Sequence, residues 1–344
     1  MAAPPTGLGP DALAWPAPGY RAPGWLPGGH LQTIWPALRA RRVAGAPITY
    51  RRERWDTPDG DFIDVDLLDP AAPPGAPLLV LLHGLEGSSR SHYAEAFADW
   101  ARARGMGFAV PHFRGCSGEI NRAPRAYHCG DHAEVGWMLR RLRARQQTAG
   151  GGDLVAVGIS LGGNALLRWA GEAGASAADT VRAVAAVSAP LDMAAGGQAI
   201  GEGVNRQIYT RMFLRTMKAK ARAKLAQYPG LFSAERLRAA RDLRAFDDLF
   251  TAPLHGFSGV EDYWRRGSAK PHLPRIRVPA LALNARNDPF VPATSLPRPG
   301  DVGRHVTLWQ PSHGGHVGFA QGRPPGQVFW LPQAVGSWLL AQIG

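Results

Sequence analysis

Two rhythms of apolar and polar positions alternate along this chain. Residues 48–55 and 61–68 alternate apolar with polar side chains, and the Asp-Thr-Pro-Asp-Gly stretch at 56–60 is a turn signal; together they predict an antiparallel hairpin. Residues 78–82 and 154–159 are continuously apolar instead, as expected of strands buried on both faces. Further strands are predicted at 107–113, 181–188, 279–284 and 304–309. Helical spacing fills the gaps. Helices are expected at about 91–104, at 164–170 and, closing the chain, at about 327–343. Another carries Val135, Met138, Leu139 and Leu142 on one face, behind an Asp131 cap with Glu134 as its capping-box partner. Strand and helix in this order predict an α/β protein, with a mostly parallel sheet covered on both faces and the hairpin at one edge.

The rhythm fails in two stretches. Residues 1–46 are rich in Pro, Gly and Trp without a sustained period, and read as an irregular N-terminal arm on a domain spanning 47–344. From about 190 to 274 no strand pattern occurs, which predicts a helical lid inserted over the strand ends. In it Phe213, Met217, Ala221 and Leu225 recur every four residues beside Arg211, Arg215, Lys218, Arg222 and Lys224. Such a basic face is more often plainly solvated; transient contact of the lid with an anionic membrane is the alternative.

Composition changes this picture little. The 344 residues can bury a full core, and no apolar run approaches the roughly 18–20 residues of a membrane span. The first residues do not read as a secretory signal, and two cysteines, Cys116 and Cys129, make no disulfide scaffold; a reducing, cytoplasmic compartment is expected. The net charge of +12 comes almost wholly from arginine, with no nucleic-acid-binding module around it, so no nucleic-acid partner is expected.

The chemistry starts at Gly158-Ile-Ser160-Leu-Gly162. A G-x-S-x-G stretch between a strand and a helix is the context of a nucleophile elbow, which lifts its serine above the strand end. Acyl transfer by serine needs a base, and an acid to orient that base. Asp288 follows the strand at 279–284, and His313 and His316 follow the strand at 304–309 on a glycine-rich loop. The order Ser160, Asp288, His316 thus puts each group at a strand's carboxyl end. His316 is preferred to His313 because it directly precedes the closing helical region and two glycines before it allow close approach. Asp192 is the reserve acid. The oxyanion is expected to meet the backbone N–H of Leu161 and of Leu85, which follows His83-Gly84 after the third strand. His83 is expected to shape that loop. A metal site in the 127–132 cluster is disfavoured, since adjacent side chains cannot all converge on one ion and Asp131 serves as a cap; no cofactor is expected. Cys116 lacks an elbow and makes a weaker nucleophile.

The chain resembles the YheT-like branch, or AB hydrolase 4 family, of the α/β-hydrolase superfamily. The resemblance covers nearly its whole length and rests on Gly29-His-Leu-Gln-Thr33, His83-Gly-Leu-Glu-Gly-Ser88, Phe113-Arg-Gly-Cys-Ser-Gly-Glu119, Tyr127-His128, Ser160-Leu-Gly-Gly-Asn164, Ala226-Gln-Tyr-Pro-Gly230, Phe246-Asp-Asp248, Asn287-Asp-Pro-Phe290 and His313-Gly-Gly-His-Val-Gly-Phe319. It implies the α/β-hydrolase fold, a triad on Ser160, Asp288 and His316, and hydrolysis of carboxylic esters. The expected substrates are small-molecule or lipid esters, with short- to medium-chain esters first and acylglycerols or phospholipids at a lipid interface as the alternative. A hydrolase-fold scaffold without catalysis is the remaining reading.

Overall fold

All eight expected strands join one sheet in the computed structural model, which describes residues 19–69 and 71–343. They are β1 (Thr49–Asp56), β2 (Phe62–Asp69), β3 (Leu78–Leu82), β4 (Gly107–Pro111), β5 (Leu154–Ile159), β6 (Ala183–Val187), β7 (Ala280–Leu283) and β8 (Val306–Trp309). Their spatial order is β1-β2-β4-β3-β5-β6-β7-β8. Pairing is antiparallel between β1 and β2 and between β2 and β4, and parallel from β4 onward. The five residues of β3 are all buried, which is why they read as a continuous apolar run rather than an alternating one.

Alternate side chains of the same strands feed two cores. Leu79, Leu81, Val155 and Val157 pack with Phe97 of α2 (His92–Arg102) and Trp338 of the closing helix (Trp330–Leu340). Leu78, Val80, Leu82 and Ala156 pack on the other face with Met138 of α3 (His132–Thr148) and Leu166 of α4 (Leu161–Ala173). The parallel strands all point to one edge, so the loops after β3, β5, β7 and β8 gather there.

Three sequence-based expectations need correction. Part of the arm is a helix, α0 (Gly28–Arg39), which buries Gln32, Thr33 and Pro36; residues 1–18 of the arm lie outside the described residues. Two glycines and a proline hid it, because local propensity there is overridden by bonds from Gln32 and Thr33 into the core. The capping box on α3 is half formed: the Asp131 carboxylate accepts the Glu134 N–H, but the Glu134 carboxylate turns to Arg114, 2.5 Å away. Finally, the described residues between β6 and β7 form helices and no strand, among them Met193–Gly201, Arg211–Gln227 and Val260–Gly267, but the charges on the long helix are not all solvated. Lys224 is fully buried, its ammonium donating to the carbonyls of Asn121 and Ala123, and burial lowers its pKa to about 8.

Candidate active site

Ser160 stands between the last residue of β5 and the first of α4, at φ 52° and ψ −117°. A non-glycine residue in that region is strained, and the turn is held by the packing around it. A Cβ on Gly158 would lie 2.4 Å from the Gly162 carbonyl oxygen, and one on Gly162 would lie 2.4 Å from that of Leu82. Both flanking glycines are therefore required by close backbone approach. The Ser160 N–H donates to the Val187 carbonyl at 2.8 Å, fixing the turn to β6.

His316 Nε2 lies 2.9 Å from Ser160 Oγ, and His316 Nδ1 lies 2.9 Å from Asp288 Oδ2. The Asp288 side chain is wholly buried, and its other oxygen accepts the Phe290 N–H at 2.7 Å. The Phe290 ring packs on the imidazole with centroids 4.1 Å apart. With Asp288 accepting at Nδ1, the proton sits on that nitrogen and Nε2 is left to accept from the serine hydroxyl. Neither reserve candidate is shown in contact with Ser160. His313 is exposed, and Asp192 caps the helix Met193–Gly201 by accepting the Ala195 N–H.

The loops that carry Asp288 and His316 are joined by α0, a role that reading the sequence missed. Gln32 Oε1 accepts from the Gly314 N–H at 3.0 Å and from Asn287 Nδ2 at 2.9 Å. Thr33 Oγ1 accepts the His316 N–H at 2.8 Å and donates to the Gly29 carbonyl at 2.7 Å. A Cβ on Gly29 would fall 1.9 Å from the Asn287 carbonyl oxygen, and one on Gly318 would fall 1.7 Å from that of Gln32. The Gly-His-Leu-Gln-Thr stretch was the signal for this; only its partners were invisible. Arg114 of the Arg-Gly-Cys-Ser-Gly-Glu stretch likewise has a structural place, buried among Glu134, Asp59 and Asp61.

Leu161 opens α4, where the first N–H groups have no intrahelical partner and the helix dipole favours negative charge. Leu85 lies on the loop after β3, beside the nucleophile: a Cβ on Gly84 would lie 3.3 Å from that of Ser160. His83 shapes this loop with both ring nitrogens. Nε2 accepts the Phe113 N–H at 3.0 Å, so Nδ1 carries the proton and donates to the Gly84 carbonyl at 2.8 Å. Burial lowers its pKa to about 3 and keeps it neutral.

Ser160 and His316 open into a cavity of about 610 Å³, walled chiefly by apolar side chains including Leu38, Tyr209, Met212 and Phe213. Behind Leu85 and Leu161 lies a much smaller chamber of about 50 Å³, reached by Tyr127, Lys220 and Tyr263. Among the described residues no group of three or more His, Cys, Asp or Glu could hold a metal ion, and no helix is long and apolar enough to cross a membrane. The thiols of Cys116 and Cys129 are unpaired, and burial raises their pKa to about 11 and about 12. A raised pKa keeps a thiol protonated, the less nucleophilic form.

A family model described as the alpha/beta hydrolase fold matches residues 77–322. The chain is 41% identical to the "Putative esterase YheT" of Escherichia coli (strain K12) over 90% of this chain and 89% of that protein. It is 25% identical to the human "Phospholipase ABHD3", covering 93% of this chain and 78% of that one. Among solved structures, the Pyrococcus furiosus esterase Pf2001 superposes with a TM-score of 0.54 at 15% identity, covering 89% of this chain and 99% of that one.

Proposed function

The chain belongs to the α/β-hydrolase family, within its YheT-like branch, and on that premise we propose that it is a serine hydrolase of short- to medium-chain carboxylic esters. The observation that carries this reading is the unbroken relay from Ser160 Oγ through His316 to buried Asp288, at 2.9 Å on each side of the imidazole. The esterase name of the Escherichia coli relative agrees with it.

In this mechanism His316 Nε2 takes the hydroxyl proton as Ser160 Oγ attacks the ester carbonyl carbon. The Leu85 and Leu161 amides receive the oxyanion. When the tetrahedral adduct collapses, the carbon–oxygen bond to the alcohol breaks and His316 returns its proton to the leaving oxygen. Water, deprotonated by the same imidazole, then releases the carboxylic acid and restores Ser160. Asp288 stays ionised throughout and steadies the imidazolium. Converting Ser160 to Ala should reduce turnover of a soluble butyrate ester at least a thousandfold; substantial hydrolysis by that variant sinks the assignment.

One observation favours a second substrate presentation. Leu38, Ile208 and Met212, at the cavity mouth, are among the few exposed large apolar residues; Leu31 lies two turns from Leu38, and Val204 lies just before Ile208. From residue 203 to 234 the chain has no acidic residue, while Arg206, Arg211 and Arg215 are exposed on the same helical run. An apolar collar with cations beside it suits esters held in an anionic lipid surface, in keeping with the phospholipase name of the human relative.

A further inference from the structure

The residue after Leu85 is held by two side chains from outside its own loop, Tyr127 and Lys220. Glu86 has φ 56°, a left-handed conformation that is strained outside glycine. Its N–H donates to the Tyr127 hydroxyl at 2.9 Å, and the same hydroxyl donates to Glu86 Oε1 at 2.9 Å. Lys220, from the helix Arg211–Gln227 of the insertion, donates to that Oε1 at 2.7 Å. The Glu86 side chain is only 9% exposed, so water does little to replace the ammonium. Lys220 Nζ also lies 3.2 Å from Cys116 Sγ and 5.9 Å from the centre of the Tyr127 ring. On the other side of Leu85, the Gly84 N–H donates to the Tyr93 hydroxyl at 3.0 Å. The Leu85 peptide is therefore suspended between a fixed point on α2 and one whose charge partner rides on the insertion.

We infer that Lys220 is a positioning residue for the reaction: by pairing with Glu86 it holds the strained backbone that aims the Leu85 amide at the oxyanion. This rests on the serine-hydrolase reading above and adds a physical link from the helical insertion to the catalytic step. Without the ammonium, the carboxylate has one hydroxyl donor in a buried setting, and the backbone can relax out of the left-handed region, turning the Leu85 N–H away. A misaimed donor weakens the transition state more than the bound ester. Loss of a whole oxyanion donor costs roughly 10²–10³ in kcat, and partial misalignment should cost about tenfold.

The test uses the full chain with a soluble chromogenic ester, comparing Lys220→Met, Lys220→Arg and Glu86→Gln. Lys220→Met should lower kcat about tenfold or more with KM within about twofold, and should weaken binding of a trifluoromethyl ketone, which forms an oxyanion on Ser160, by a similar factor. Lys220→Arg should recover most of both losses, and Glu86→Gln should behave like Lys220→Met. Loss of the fold in Lys220→Met would leave the decision to the other two variants. An unchanged kcat in Lys220→Met or Glu86→Gln overturns the inference, as does a rise in KM alone or a kcat loss with undiminished ketone affinity. A parent protein that neither turns over ester nor reacts with a fluorophosphonate at Ser160 would instead refute the hydrolase reading.

Discussion

At the scale of single residues, the site is built from side chains whose protonation is fixed by their neighbours. His83 shows this most clearly. Its ring accepts at one nitrogen and donates at the other, so a second proton has no place to go. In the unfolded chain the same ring titrates near 6.5, while in the fold its pKa is lowered to about 3 by burial. Below 6.5 the unfolded state binds the extra proton and the folded state does not, so stability is full above pH 6.5 and is lost as pH falls toward 3. One such group should cost roughly 2 kcal/mol between pH 6.5 and 5. Urea unfolding at pH 7 and pH 5 checks this: His83→Gln should start less stable than the parent but lose about that much less on acidification. Equal losses in the two proteins would show that His83 is not buried neutral. Ser160, Asp288 and His316, the proposed triad, could be singled out in the sequence because each lies on a turn or loop after a strand, within a recognisable stretch. Of His313 and His316, the sequence alone favours neither by its strand; in the fold the His316 imidazole reaches both neighbours and His313 is exposed, which supports the proposed base.

At the scale of elements, α0 ties together two loops that are distant in sequence. It was illegible as a helix because Gly28, Gly29 and Pro36 lower its intrinsic propensity, and its stability comes from side chains bonded to residues about 250–280 positions away. Sequence spacing carries no record of such partners. The consequence is measurable. Thr33→Val keeps the shape but removes the oxygen that accepts the His316 N–H, leaving that donor unpaired at a cost of about 1–3 kcal/mol. The loop can relieve this by shifting, which displaces the imidazole. Steady-state kinetics should show kcat lowered about tenfold, with Thr33→Ser near the parent value; a Thr33→Val enzyme with unaltered kcat would mean that α0 does not position His316.

At the scale of the whole molecule, the sheet brings four loops to one edge, and the insertion and α0 meet above it. The α/β alternation was readable because buried parallel strands are continuously apolar, and the two cores follow from alternate side chains on those strands. What the sequence hid is the direction each insertion helix faces. The Phe213, Met217 and Ala221 stripe turns inward with Lys224, while the solvent-facing apolar residues are Val204, Ile208 and Met212. The proposed lipid contact therefore falls on the rim of the cavity, with Leu31 and Leu38 on the opposite bank. Leu31→Glu and Val204→Glu together should abolish co-sedimentation with phosphatidylglycerol vesicles while turnover of soluble butyrate stays within about twofold; vesicle binding equal to the parent's would remove the collar from the account.

The most direct test of the central claim is labelling of the purified protein with a fluorophosphonate, followed by mass spectrometry of the digested chain. One adduct is expected, on the peptide carrying Ser160, formed at least a hundredfold more slowly in His316→Ala. A protein left unlabelled, or labelled at another residue with Ser160 unmodified, would contradict the account and leave the fold serving as a scaffold.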